Sequence, residues 1–338
     1  MTAALPKDIS QAAHAAGQYI LSCQQKDGCI PWFKNTAADP WNHIEAAMGL
    51  AITGHIENSI NAYEWLRSVQ NTDGSWQAIY QDEQHADRHK VDTNFVAYIA
   101  TGIWHLYLVT QNKEILIDYY PCVEKALNYV LSQQNKEGDI QWAISSHEKL
   151  PSDALVTASS SIYKSLECAI SIAQVAGTNS SKWQTARQQL GDALANKPER
   201  FDRTWESKAR YSMDWFYPIF TNAANDANAL QRVTDMQSIF VEKDLGCRCV
   251  SDEPWITIAE TCEYIIALSA LDKKAEAKRM LHLMLRWQDS DGGFWTGYNF
   301  KNKNVWPEEK TTWTAGAFLL AVDSVYHLTS ASTIFSRT

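Results

Sequence analysis

Asp92 is the residue whose position first indicates chemistry. It stands at the front of an almost uncharged helical stretch, KVDTNFVAYIATGIWHLYLV, which covers residues 90–109. An aspartate followed by Thr-Asn-Phe is a good helix N-cap. A carboxyl group beside an apolar, aromatic cavity can also donate a proton, because burial keeps it neutral at pH 7. The sequence predicts that Asp92 both caps its helix and acts as a general acid.

Other polar residues hold comparable positions, each at or near the front of an apolar segment: His43, Glu45, Asn94, Asp214, Glu260, Glu308 and Glu309. Each also has a structural alternative. An aspartate there can cap a helix, and a glutamate can stabilise the first helical turn. A carboxylate one turn further in can be half-buried and hydrogen-bonded, and a histidine there is more often structural than catalytic.

The chain is rich in aromatic residues, with 14 Trp and 14 Tyr, many of them beside turn signals. Such residues either pack in the hydrophobic core or line a pocket. The candidates for lining a pocket are Trp41, Trp104, Trp215, Tyr217, Trp255, Trp306 and Trp313. If the toroid has no cavity, these aromatic side chains instead pack against one another in the hydrophobic core.

Four short stretches share the pattern Gln-x-x-acid-Gly followed by an aromatic residue. They are QQKDGCIPW from Gln24, QNTDGSW from Gln70, QNKEGDIQW from Gln134 and QDSDGGFW from Gln288. The last interval is about three times the earlier ones, so two degenerate copies are expected within it. A period of this length is typical of a repeat architecture.

Each copy ends an amphipathic helix, and a small-residue-rich helix that is apolar nearly all round follows it. Such a helix is buried on several sides. No convincing strand alternation is present, so the fold class is all-α: one α/α toroid domain over residues 1–338, built from six outer–inner helix pairs. The inner helices begin near 41, 92, 157, 213, 256 and 311, and the outer helices cover about 9–24, 57–70, 113–134, 182–196, 227–241 and 273–288. Parallel inner helices bring their N-terminal ends together at one mouth, where we expect the site.

The Gln-x-x-Asp-Gly-x-Trp turns resemble the QW motifs of the squalene–hopene cyclase and class II terpene cyclase superfamily, which is built on the α/α toroid. The four copies span residues 24–295, and the chain has room for one toroid, so it resembles a single-domain class II cyclase. The proton donor of that family is the middle acid of Asp-x-Asp-Asp. The matching segment, Lys90-Val91-Asp92-Thr93, keeps only that middle carboxylate.

The resemblance implies a metal-independent cyclase that protonates the terminal alkene of a linear polyprenyl substrate, such as a prenylated aromatic, and forms fused rings. Asp92 would be the catalytic acid, with Asn94 and His43 in support and Asp214, Glu260 or Glu309 as further or alternative groups. The aromatic side chains would stabilise the carbocation. No cofactor is expected, because the Asp-Asp-x-x-Asp signature and a prenyltransferase zinc set are absent from the sequence.

The main rival is a glycoside hydrolase or related carbohydrate enzyme on the same toroid. It would use two carboxylates across the mouth, with tryptophans stacked on sugar rings. Asp92 with Glu309, or Asp214 with Glu260, could form such a pair. A repeat scaffold without catalytic activity is the third alternative, and it predicts a filled toroid.

Composition indicates which binding partners and which cellular compartment to expect for the protein. A net charge of −9 with 20% charged residues disfavours nucleic acid as a partner. No signal peptide and no apolar run of about 20 residues is present, although peripheral membrane contact stays open. Seven cysteines without a Cys-x-x-Cys pair predict a reduced, cytoplasmic protein without a zinc site. The oligomeric state is not indicated.

Overall fold

The computed structural model describes residues 5–80, 89–224 and 226–337. Twelve helical positions alternate between two layers in the described part of the chain. The outer layer contains α1 (Lys7–Cys23), α3 (Ile56–Ser68), α6 (Lys113–Ser132), α8 (Ser181–Asn196), α10 (Asp226–Phe240) and α12 (Lys274–Met284). The inner layer contains α2 (Pro40–Ile52), α4 (Thr93–Ala97) with α5 (Ile99–Thr110), α7 (Val156–Ala176), α9 (Ser212–Phe220), α11 (Ile258–Ala270) and α13 (Thr312–Tyr326).

The inner helices form a closed ring, because α13 packs on both α2 and α11, while α5, α7 and α9 complete the circle. The predicted α/α toroid is therefore confirmed. Its core lies within the inner ring and between the two layers, which explains why the inner helices are apolar on nearly every side. None of the described helices is both long enough and apolar enough to cross a membrane.

The starts of the inner helices are tied to one another by neighbouring loops. The amide of Thr312 donates to the carbonyl of Trp32 (2.7 Å), that of Thr93 to Trp142 (2.9 Å), and that of Ser212 to Cys249 (2.9 Å). In each case the acceptor belongs to the loop before another inner helix. These bonds gather the N-terminal ends at one end of the ring, which we call the mouth.

The glutamine turns join each outer helix to the next. Gln70 Nε2 donates to the carbonyl oxygens of Gly74 and of Cys122 on α6, both at 3.0 Å. The same two bonds are made by Gln24 to Gly28 and Asn58, by Gln134 to Gly138 and Ala186, and by Gln288 to Gly292 and Ala12. The last of these connects the end of α12 to α1 and closes the outer ring. The repeat therefore stabilises the toroid and does not indicate which reaction the protein catalyses.

The predicted degenerate copies do not form such turns. The interval between Gln134 and Gln288 does contain two further helix pairs, as the spacing predicts. After α8, however, the chain forms a 3₁₀ turn at Pro198–Arg200, and after α10 it enters a β-hairpin.

Glycine is required in these turns by close backbone approach. Gly74 has φ +95°, and a Cβ placed there would lie 2.3 Å from the carbonyl oxygen of Lys125. Gly177 provides a matched control, since it has φ +75° but a Cβ added there would meet nothing within 4 Å. We expect Gly74→Ala to lower the free energy of unfolding by about 3 kcal/mol, against about 1 kcal/mol for Gly177→Ala. Denaturant titration of both variants measures the difference, and equal losses would show that the close approach is unimportant.

Short β-strands that the sequence did not reveal accompany the helices. The described residues include β1 (Lys90–Asp92) paired with β2 (Ala143–Ser145), and a five-stranded antiparallel sheet in chain order. Its strands are β3 (Val241–Glu242), β4 (Gly246–Arg248), β5 (Trp255–Thr257), β6 (Gly297–Asn299) and β7 (Asn304–Val305). Strands of two or three residues are too short to show alternation in sequence. They matter because β1 leads directly into α4, and β5 into α11, at the mouth.

Candidate active site

Asp39 is the N-cap of α2 and the first of three buried acids at the mouth. Its Oδ1 accepts a hydrogen bond from the Asn42 amide (2.9 Å), and its Oδ2 accepts one from Trp32 Nε1 (2.5 Å). The side chain is only 4% exposed. Burial and, to a smaller extent, the nearby charge of Asp92 raise the pKa of Asp39 to about 6 against the effect of these donors.

Sequence reasoning missed Asp39. A signal for its position was present, because an aspartate before a proline at the first helical position is a helix-start pattern. That pattern predicts a cap and does not reveal that a second acid lies close to it.

Asp92 is the last residue of β1 and precedes α4, as predicted, but its side chain does not cap that helix. Instead, its Oδ1 lies 3.1 Å from Lys90 Nζ, and this ammonium group lies 4.5 Å from the centre of the Trp142 ring. Asp92 is 8% exposed.

Glu260 lies in the first turn of α11 and is 6% exposed. Burial raises its pKa, while the neighbouring Thr257 and Cys249 side chains partly offset that rise. β5 positions Thr257, and β4 leads into Cys249, so the five-stranded sheet builds the surroundings of this carboxyl. A buried carboxyl with a raised pKa has the properties of a general acid.

Two further carboxyls lie one turn deeper, on the inner faces of α2 and α11. Tyr98 Oη donates to Glu45 Oε1 (2.8 Å), and Tyr217 Oη donates to Glu263 Oε1 (2.5 Å). Burial raises the pKa of Glu45 to about 8. Burial and the charge of Glu45 hold the pKa of Glu263 well above its usual range. Sequence reasoning did not identify Glu263, although a second acid three residues after Glu260 in an apolar helix was a signal.

The predicted aromatic residues divide between several regions. Trp41 stacks on Tyr98, with ring centres 4.1 Å apart, and lies 6.1 Å from Tyr217, so these rings meet beside the deeper carboxyls. Trp313 is half-buried in the first turn of α13. Trp255 and Trp306 lie together on the five-stranded sheet at the mouth, with ring centres 4.9 Å apart.

Two predicted lining residues lie elsewhere. Trp215 packs outward, since its indole stacks on Phe240 and donates to the carbonyl of Arg232 (2.8 Å). Trp104 is about 16 Å along the α4–α5 axis from Thr93, at 1.5 Å per helical residue, and packs against Tyr107. Neither is placed to contact a ligand at the mouth.

The remaining predicted polar residues also take different positions. Asp214 faces a groove between α8 and α10, beside Arg232, where burial raises its pKa to about 6. His43 is structural: Nδ1 accepts from the Ile30 amide, Nε2 bonds the Ala62 carbonyl, and burial lowers its pKa to about 4. Asn94 is half-buried in the first turn of α4, and Glu309 is half-buried in the loop before α13.

The two closed helical layers and the buried acids at the mouth define an α/α-toroid protein. The chain belongs to the prenyltransferase alpha-alpha toroid domain family, whose model matches residues 3–192. It is 37% identical over 330 residues to the MMP endo-(1,4)-3-O-methyl-alpha-D-mannosidase of Mycolicibacterium hassiacum, covering 98% of this chain and 89% of that relative.

Solved structures with little sequence similarity share the fold. A wild-type glycosidase aligns with a TM-score of 0.76 at 11% identity, covering 96% of this chain and 100% of that one. A D-mannose isomerase aligns with a TM-score of 0.71 at 12% identity, covering 95% and 100%.

The expectation of a class II terpene cyclase acting on a hydrophobic polyprenyl substrate is therefore wrong, because the relative that matches nearly the whole chain is a mannosidase. The structure gives the physical reason. The glutamine turns connect outer helices, so they identify the toroid and not a reaction. The mouth contains an ion-paired Asp92 and several carboxyl and phenol groups, which suit sugar hydroxyls better than a carbocation.

Proposed function

We propose that this protein is a glycoside hydrolase that cleaves internal α-mannosidic bonds in a (1→4)-linked, 3-O-methylated mannose oligosaccharide. The observation that carries the proposal is the 37% identity to a mannosidase along 98% of the chain. The buried acids Asp39, Asp92 and Glu260 support it, because hydrolysis of a glycosidic bond needs two carboxyl groups in different protonation states.

Glu260 suits the role of general acid. Burial raises its pKa, which favours the protonated form that can transfer a proton to the glycosidic oxygen as the bond to the sugar carbon breaks.

Asp39 suits the role of the partner carboxylate, which accepts the proton of the attacking water. Two N–H donors, from Asn42 and Trp32, fix both of its oxygens. Its pKa of about 6 leaves it ionised at neutral pH and makes it a stronger base than an ordinary aspartate. The negative charge of Asp92 helps to raise the pKa of Asp39.

This assignment predicts a pH dependence. Asp39 must be ionised, so kcat/KM is expected to fall as the pH drops through about 6. Asp92→Asn removes a negative charge that raises the pKa of Asp39, and therefore shifts this acid limb to lower pH. The same change at the exposed Glu308 (Glu308→Gln) should leave the limb in place. A pH profile of all three proteins tests the assignment, and an unchanged limb in Asp92→Asn would refute it.

The substrate class is tested with a panel of oligosaccharides. Purified protein is incubated with α-(1→4)-linked 3-O-methylmannose oligosaccharides, with their unmethylated counterparts, and with β-linked mannose oligosaccharides. We expect the α-linked chains to yield shorter oligosaccharides from internal cleavage, and the β-linked chains to stay intact. Resistance of every α-linked chain would overturn the proposal, as would release of single sugars from one end alone.

A further inference from the structure

A pocket of about 540 Å³ opens at the mouth, on the five-stranded sheet. Trp255 and Trp306 form its aromatic wall, Asn299, Asn302 and Asn304 lie on the β6–β7 side, and Cys249 lies on the inner side. The mechanism described above does not use this pocket. Its lining combines large aromatic surfaces with side-chain amides and the carboxyl group of Glu253.

The aromatic wall is rigid and presents a surface to solvent. Trp255 Nε1 donates to the carbonyl oxygen of Trp306 (2.7 Å), and the two rings meet edge to face at 72°. Trp306 is nevertheless 53% exposed, the largest exposed fraction among the large hydrophobic side chains of the described residues. An indole held in this way offers a flat apolar face at little cost in side-chain entropy.

The opposite side suits an uncharged, hydroxylated ligand. Asn299 Oδ1 accepts from the amides of Lys301 and Asn302, which orders the hairpin turn that carries the asparagines. Side-chain amides provide both donors and acceptors, as sugar hydroxyls require. A sugar ring has the matching form, with an apolar C–H face for the indole and hydroxyls at its edge.

The pocket is connected to the reaction centre through β5, because this strand begins at Trp255 in the pocket wall and runs directly into the turn of α11 that carries Glu260. A chain whose scissile bond lies at Glu260 can therefore extend directly into the pocket. We propose that the pocket is a binding subsite for a neighbouring sugar residue of the oligosaccharide, with its ring stacked on Trp306. This inference rests on the proposed hydrolase function. It explains why long chains would bind more tightly than short ones.

The test compares wild type, Trp306→Ala and Trp306→Phe on α-mannose oligosaccharides of increasing length. For long chains we expect Trp306→Ala to raise KM about tenfold, which corresponds to about 1.4 kcal/mol, with little change in kcat. Trp306→Phe should recover most of the loss, and the shortest cleavable chain should be hydrolysed equally by all three. Tyr107→Ala, which removes an aromatic ring near the other end of the toroid, serves as the control.

Calorimetric binding of the same oligosaccharides separates the two proposals. If wild type hydrolyses the chains and Trp306→Ala shows the wild-type KM at every length, the subsite is refuted and the hydrolase stands. If wild type binds long chains without cleaving them and Trp306→Ala loses that binding, the subsite stands and the hydrolase is refuted. A loss that is equal for short and long chains would also refute the subsite.

Discussion

Glu260→Gln is expected to lower kcat for an α-mannoside by about 10³-fold, within the range that general acid catalysis supplies. Glutamine keeps the size of the side chain but cannot give a proton to the glycosidic oxygen. The loss should be much smaller for an aryl mannoside, because a nitrophenolate leaving group departs without protonation. Steady-state kinetics on both substrates measure the two effects.

A matched control lies one helical turn further along α11. Glu263 is also buried and accepts a hydrogen bond from Tyr217, and the amide oxygen in Glu263→Gln can accept the same bond. We expect Glu263→Gln to keep most of the activity, since its carboxyl lies deeper than the reaction centre. Equal losses in the two variants, or a Glu260→Gln loss that does not depend on the leaving group, would refute the assignment of Glu260 as the acid.

Asp39→Asn is expected to produce the second large effect, a fall in kcat of about 10³-fold with either leaving group. The reason is loss of the carboxylate that activates the attacking water. Asparagine is as good an N-cap as aspartate, so α2 should still form with the Asn42 amide bonded to its Oδ1. The side-chain NH2 cannot accept from Trp32 Nε1, so we expect the free energy of unfolding to fall by about 1–3 kcal/mol while the protein stays folded. Azide, which needs no deprotonation, should restore turnover and give a mannosyl azide.

The control for Asp39→Asn is Asp27→Asn, the same change at an exposed turn aspartate whose Oδ1 accepts from the Cys29 amide. It should have wild-type kinetics. If Asp39→Asn loses activity only together with folded protein, or if azide has no effect, then Asp39 acts as a structural cap and another residue activates water.

The fold could be predicted well from the sequence because its elements are long and its repeat is regular. The apolar segment from Trp41 and the segment from Thr312 coincide with α2 and α13 to within a residue or two. The sheets could not be predicted, because β5 and its neighbours have two or three residues and are held by pairing between distant parts of the chain. Their existence depends on tertiary contacts rather than on local pattern.

The parallel inner helices predict a candidate site at the mouth, but only some of the buried acids found there could be predicted from the sequence. Glu260 was one of several candidates, whereas Asp39 has the local pattern of an ordinary cap and becomes distinctive only because Trp32 and Asp92 converge on it. His43 and Trp215 lie near the starts of inner helices, as predicted. Their side chains, however, pack between neighbouring elements and do not point toward the mouth. The glutamine turns led to the wrong reaction because they specify the architecture that different enzymes share.

Hydrolysis itself can be tested by following the oxygen of water into the products. Wild-type protein and Glu260→Gln are incubated with a defined α-(1→4)-linked 3-O-methylmannose oligosaccharide in water enriched in heavy oxygen, and the products are weighed by mass spectrometry. We expect wild type to give two shorter oligosaccharides, one carrying a single heavy oxygen at its new reducing end, and Glu260→Gln to give almost none. An intact substrate, or a product with the mass of the substrate and no heavy oxygen, would contradict the assignment as a hydrolase.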